Sequence, residues 1–194
     1  MNSTTQYYNQ NAQQFFDSTI DVEMESLYQK FLPLIRKGGK ILDAGCGPGR
    51  DSKAFLDKGF QVEALDASEE LVKLASKLTG LPVTHSTFLN YQADNESFDG
   101  IWACASLLHV PSNELITTVN HLAEFLKPHG VIYASFKLGT KSEIRDGKHY
   151  TDLDEETLTQ LFKSTGFTLS ELWTSSDKRP CTQQTWLNIT GVKK

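Results

Sequence analysis

Residues 41–52 read ILDAGCGPGRDS, with three glycines at alternate positions directly after a short apolar run. An apolar run entering a glycine turn that opens a helix is how a strand of an α/β sheet hands its chain to the covering helix. Such turns often hold nucleotide phosphates, because N–H groups at a helix start favour anions. The spacing here does not suit that use. A dinucleotide site reads G-x-G-x-x-G, and its third glycine would fall at position 50, where this chain has Arg50. The triphosphate pattern G-x-x-x-x-G-K-[S/T] is absent as well. What remains is a sharp turn that lets backbone approach a ligand, with Asp43 just before it.

Outward from this turn the chain alternates strand-like and helix-like segments, the pattern of a mostly parallel sheet covered by helices. Strand one spans about 40–44, and a helix over 50–58 ends at Gly59. QVEALD (61–66) is strand two, and Ser68 caps a helix carrying Leu71, Leu74, Ala75 and Leu78. A short third strand lies near Val83, and FDGIWACA (98–105) is the fourth. A helix over 112–126 stops at KPHG, before strand five, GVIYASFK (130–137). A polar loop, 139–152, leads to a helix over 154–165 that ends at Gly166. FTLSELW and QQTWLNITGV follow, joined by the turn-rich TSSDKRPC, a connection short enough to require antiparallel pairing. That makes seven strands, doubly wound, with a C-terminal antiparallel hairpin. Upstream, Tyr8, Ala12 and Phe15 share a helical face, and Met24, Leu27, Tyr28, Phe31 and Leu32 form a second stripe ended or kinked by Pro33. The expected organisation is one domain, with a helical cap over 1–37 and the sheet core over 38–194.

Bulk properties narrow the function classes. A chain of 194 residues with 39% apolar content can bury a real core. A net charge of −5 argues against holding nucleic acid by phosphate neutralisation. No apolar stretch approaches the roughly 18–20 residues that span a bilayer, and the polar N-terminus lacks the features of a secretory signal. Cys46, Cys104 and Cys181 are an odd count without paired spacing, which fits a reducing, cytoplasmic setting. The five histidines show no metal-ligand spacing, so no metal is expected.

In a doubly wound sheet, ligands bind beyond the carboxyl ends of the strands. Asp66 closes strand two about 20 residues past the first glycine, where a carboxylate accepts bonds from a ribose diol. Asp43 and Asp66 together suit a cationic nucleoside better than a polyphosphate.

At these residues the chain resembles the class I S-adenosylmethionine-dependent methyltransferases. The resemblance runs through LDAGCGPGRDS, VEALDAS, FDGIWACASLLHV and LKPHGVIYASF and covers nearly the whole chain. Within that family it is similar to small bacterial methyltransferases of the tellurite-resistance type, on GCGPGRDS, YYNQNAQQFF and SSDKRPCTQQTWLNI. The resemblance implies an α/β, Rossmann-like fold with an N-terminal helical lid, and S-adenosylmethionine as cofactor with S-adenosylhomocysteine as product. It also implies roles by position. Gly45, Gly47 and Gly49 would let backbone approach the methionine part, and Asp43 would orient its ammonium directly or through water. Asp66 would take the ribose hydroxyls, with Ala67 and Ser68 beside the adenine. Many relatives carry an aspartate after strand three; HSTFLNY offers Thr87 instead, with the Phe88 amide beside it. Ala103 would offer its carbonyl to the ammonium, and Tyr8 would cover the cofactor from the first helix.

Methyl transfer from a sulfonium needs alignment and exclusion of water, and a base only if the nucleophile arrives protonated. His109, after strand four, is the candidate base; the alternative is a histidine packed under its loop. Arg50 either joins Asp51 in a solvated first helical turn, or balances Asp66 or attracts an anionic substrate. Arg145, His149 and Tyr150 are candidate substrate contacts from the 139–152 loop, with Arg179 a further one. Cys46 and Cys104 are either small buried side chains or a thiol pair near the donor. Tyr8, Phe15 and Phe16 are core packing or a lid that excludes water. There is no inserted recognition domain and no Asn-Pro-Pro-Tyr motif, which points to a small-molecule acceptor rather than DNA. The expectation is a methyltransferase acting as monomer or homodimer, with no nucleic-acid or membrane partner. A non-catalytic S-adenosylmethionine-binding module and a NAD(P)-dependent oxidoreductase are the alternatives.

Overall fold

The computed structural model describes residues 3–179 and 183–194; Cys181, and with it part of the TSSDKRPC turn, lies outside them. Two helices, α1 (Ser3–Thr19) and α2 (Glu25–Phe31), precede β1 (Lys40–Ala44), α3 (Arg50–Asp57), β2 (Gln61–Asp66) and α4 (Glu69–Thr79). Then come β3 (Thr84–His85), β4 (Phe98–Ala103), α5 (Leu115–Phe125) and β5 (Leu126–Lys137). The chain closes with β6 (Ser142–Arg145), β7 (Lys148–Thr151), α6 (Glu155–Ser164), β8 (Phe167–Ser176) and β9 (Thr185–Lys193).

Seven strands form one sheet in the order β3-β2-β1-β4-β5-β9-β8. Pairing is parallel from β3 to β5, while β9 runs antiparallel to both β5 and β8. The order reverses beside β1, between β2 and β4, so the ends of β1 and β4 open a crevice there. The caps read from the sequence hold. Ser68 accepts from the Leu71 N–H, and Gly59 and Gly166 follow their helices at positive φ.

Several boundaries differ from expectation. The stretch 139–152 is not a loop; β6 and β7 form a separate antiparallel ribbon, with Ser142 opposite Thr151 and Arg145 opposite Lys148. KPHG does not precede strand five but lies inside β5, which starts at Leu126 opposite Phe98 and shifts register before Gly100 and Val131. The third strand sits just past Val83, at Thr84–His85, and α5 begins at Leu115 rather than 112.

The sheet separates two apolar layers. One face packs α5 and α6 through Val119, Leu122, Phe125, Leu158 and Phe162. The other carries Trp102 and Tyr133, stacked at 3.9 Å between centroids, under Tyr28, Phe31 and Phe55. Such a pair contributes roughly 0.5–1.5 kcal/mol beyond its buried area, and it fixes how α2 and α3 lie against β4 and β5.

Candidate active site

A cavity of about 430 Å³ opens at the crevice, walled by the glycine turn, the end of β2, the segment after β4, and α1 above. The glycine turn is held by Leu65, whose carbonyl accepts from both the Gly45 and Cys46 N–H groups at 2.9 Å. The three glycines divide their work. A Cβ on Gly45 would lie 2.5 Å from the Ser106 Cβ, so its bareness admits β4's continuation across the turn. A Cβ on Gly49 would press on Ala75 of α4 at 3.0 Å, so Gly49 serves helix packing and is not part of the cavity wall. Gly47, at φ +56, faces the cavity beneath the Phe15 ring.

Asp66 lines the cavity, with one carboxylate oxygen accepting from the Gly47 N–H and the other from the Ser68 N–H, each at 2.8 Å. Burial raises its pKa, and those N–H bonds pull the other way. Ala67, Ser68, Thr87 and Phe88 continue the same wall. Asn9 of α1 reaches the rim, where its Oδ1 accepts from the Ser68 hydroxyl at 2.7 Å.

Asp43 stands behind this wall rather than in it. It is buried and accepts a 2.5 Å bond from the Ser52 hydroxyl. Burial, then the neighbouring Asp51 charge, raises its pKa. Such a carboxylate gains from a cation at the turn, by field or through water. Ala103 likewise sits in the core, one residue behind the wall that Cys104, Ala105 and Ser106 form. Ala105 takes the left-handed region at φ +50, held by a 2.8 Å bond from its N–H to the Ser135 hydroxyl. A non-glycine residue there stores strain of order 1–3 kcal/mol, a feature that clusters at ligand sites.

Arg50 and Asp51 are not solvated. Their side chains are only 20% and 8% exposed and form a two-pronged ion pair at 2.7 and 3.0 Å. Asp51 also accepts from the Tyr28 hydroxyl at 2.6 Å and from Trp102 Nε1 at 2.8 Å. Burial opposes its charge, but Arg50 and these donors outweigh it and hold the carboxyl below its usual range. Arg50 therefore balances Asp51, not Asp66. Asp51 was not foreseen as a site residue, although it lines the cavity floor.

On the opposite wall the Tyr8 hydroxyl lies 3.0 Å from His109 Nε2, and His109 Nδ1 lies 2.6 Å from the His149 carbonyl. A carbonyl only accepts, so Nδ1 carries the hydrogen and Nε2 takes the Tyr8 proton bond. Burial, then the Lys148 and Lys137 charges, pushes His109 down to about 4, which keeps it neutral. Tyr8 and Phe15 meet edge to face at 5.1 Å and both line the cavity; Phe16 does not.

Of the expected substrate contacts, Tyr150 reaches the cavity, 5.0 Å from the His109 ring. Arg145 does not; it pairs with Asp152 at 2.5 Å and lies against the Tyr150 ring. The His149 side chain turns to Ser142 and Thr151, and only its backbone serves the site. Arg179 lines the cavity while paired with Asp177. Cys46 and Cys104 both line it as free thiols, and burial raises both pKa values, Cys104 to about 12. Lys137 and Trp186, unremarked in the sequence, line the end where β5 finishes and β9 begins.

The residues present fit a cationic nucleoside. A bare backbone faces the cavity at Gly47, and Asp66 keeps acceptor capacity beside it. A second carboxylate, Asp43, is buried behind the turn, and among the described residues no cation is bonded to it. The fold is that of the class I S-adenosylmethionine-dependent methyltransferases. A profile of the methyltransferase-domain family matches residues 16–172, and the chain belongs to that family. The YqeM protein of Bacillus subtilis is 30% identical over 131 residues, 61% of this chain and 51% of that one. The ubiquinone biosynthesis O-methyltransferase of Xanthomonas oryzae pv. oryzae is 34% identical over 105 residues, 50% of this chain and 43% of its own length. The chain thus spans about half the length of these curated relatives or less. Among solved structures, the 1,6-didemethyltoxoflavin-N1-methyltransferase of Burkholderia thailandensis, with S-adenosylhomocysteine bound, superposes at a TM-score of 0.83. It is 20% identical, covering 98% of this chain and 87% of that one. No helix among the described residues is long and apolar enough to cross a membrane, and none of their side-chain groups forms a metal cluster.

Proposed function

We propose that the chain transfers a methyl group from S-adenosylmethionine to a small-molecule acceptor. The observation that carries this reading is the Asp66 carboxylate, anchored by the Gly47 and Ser68 N–H groups and facing the cavity beside a bare backbone. Bound there, S-adenosylmethionine would supply an electrophilic methyl group on a sulfonium. Asp66 would accept the ribose hydroxyls, Ser68, Thr87 and the Phe88 amide would flank the adenine, and Asp43, pushed up to about 8 by burial, would ionise as the ammonium settles at the turn.

In this reading residues 1–37 act as a cap over a core formed by 38–194. Tyr8 and Phe15 cover the reacting end and exclude water, which is most of what an in-line displacement asks of a protein. The role of His109 takes the form of positioning. Its neutral ring anchors the Tyr8 hydroxyl through Nε2 and leans on the His149 carbonyl through Nδ1. Tyr150 borders the acceptor. Arg50, tied to Asp51, supports the floor without contacting the acceptor's charge. The free thiols Cys46 and Cys104 suit a reducing compartment, and we take the cytoplasm as the setting and a monomer or homodimer as the acting form.

Titration calorimetry with S-adenosylhomocysteine and with NAD tests the reading. Binding of the former with no heat from the latter supports it; the reverse result overturns it.

A further inference from the structure

The end of the cavity opposite Asp66 holds a cation to which no acid among the described residues is bonded. Lys137 closes β5 and lines the cavity half-buried. Among the described residues its ammonium makes no hydrogen bond or ion pair, and it rests 3.9 Å from the centre of the Tyr150 ring. The nearby carboxylates are engaged elsewhere, Asp152 with Arg145 and Asp177 with Arg179 and the Trp186 ring N–H. Burial, followed by the charge of Arg145, lowers the Lys137 pKa, as expected where cations outnumber acids. An unmatched ammonium at a half-buried position is costly, and an aromatic face only partly compensates.

The cavity is therefore polarised. One end presents Asp66, and the other presents Lys137 over the Tyr150 ring, with Trp186 directly opposite Lys137 in the β5–β9 register. We infer that the acceptor is a planar organic anion whose carboxylate sits on Lys137 and whose flat body lies beside Trp186. This rests on the methyltransferase reading and deepens it.

The test is calorimetry on the full chain, with and without S-adenosylhomocysteine, using benzoate, nicotinate and cinnamate against their amides. Carboxylates should bind at least about tenfold tighter than amides, the effect of one charged hydrogen bond. Lys137→Met should remove that preference while amide and S-adenosylhomocysteine affinities stay within about twofold, and Lys137→Arg should keep most of it. No carboxylate outbinding its amide, or a preference that survives Lys137→Met, overturns the inference. Selenite binding tighter than every planar carboxylate overturns the planar organic part. Loss of S-adenosylhomocysteine binding in the unmodified chain overturns the methyltransferase reading instead, and the carboxylate arm measured without it still reads Lys137.

Discussion

The Tyr8 hydroxyl and His109 Nε2 meet at 3.0 Å across 101 positions of sequence, joining α1 to the segment after β4. The bond requires a neutral imidazole, since a protonated Nε2 has no lone pair to offer. Burial has pushed the His109 pKa from 6.5 to about 4, so the unfolded chain takes up its proton first as pH falls. Stability from this group is thus complete above pH 6.5 and declines toward pH 4. Chemical denaturation should show the native chain losing roughly 2 kcal/mol more between pH 7 and pH 5 than a His109→Asn variant. Equal losses in the two proteins would remove the neutral-anchor assignment.

Asp66 joins the turn to α4 through two backbone N–H groups and offers its remaining lone pairs to the cavity. Asp66→Ala leaves both donors unpaired and withdraws the ribose acceptor. Hydrogen bonds to a charged group contribute about 1.5–3 kcal/mol each, so S-adenosylhomocysteine should bind at least ~10–100-fold more weakly. Calorimetry reads this directly, with circular dichroism confirming that the variant is folded.

The parallel framework was legible because its signals are local. Ser68, Gly59 and Gly166 mark helix ends by chemistry that acts within a few residues, and β1 and β4 carry short apolar pieces, Ile41–Leu42 and Ile101–Ala103, beside glycine turns and polar breaks. The β6–β7 ribbon was not legible, because Ser142, Glu143 and Ile144 are all exposed and show no alternation. It is fixed from outside, where the His149 N–H donates to the Thr4 hydroxyl and Lys148 covers the Tyr7 ring. In the site, Asp66 could be placed by spacing from the glycine turn. Arg50 and Asp51 could not, since adjacent charges in a first helical turn are usually solvated and their partners Tyr28 and Trp102 lie far away in sequence. The usable signal was two aromatic residues with polar tips within apolar segments, each needing a buried acceptor.

That acceptor carries a stability prediction. Removing the Asp51 carboxylate leaves the Arg50 guanidinium buried and strips partners from the Tyr28 hydroxyl and the Trp102 indole. Breaking a buried pair on one side costs about 3–5 kcal/mol, so Asp51→Ala should lower the unfolding free energy by that order. Urea denaturation checks it, and a loss below about 1 kcal/mol would show that the network is not coupled to folding.

Gly45 and Ser106 are coupled by contact, and the coupling can be measured. Gly45→Ala places a methyl 2.5 Å from the Ser106 Cβ at a residue with φ +80. Overpacking and left-handed strain together should cost roughly 2–5 kcal/mol. Ser106→Gly removes the obstructing Cβ but also the 2.7 Å bond from its hydroxyl to the Ala44 carbonyl, worth about 1 kcal/mol. The double variant should therefore be more stable than the sum of the single losses predicts, by about 1–2 kcal/mol, because the clash is counted once and then relieved. The φ strain remains, so recovery is incomplete. Additive losses across the four proteins in urea would mean that backbone conformation alone, and not the close approach of Ser106, demands glycine at position 45.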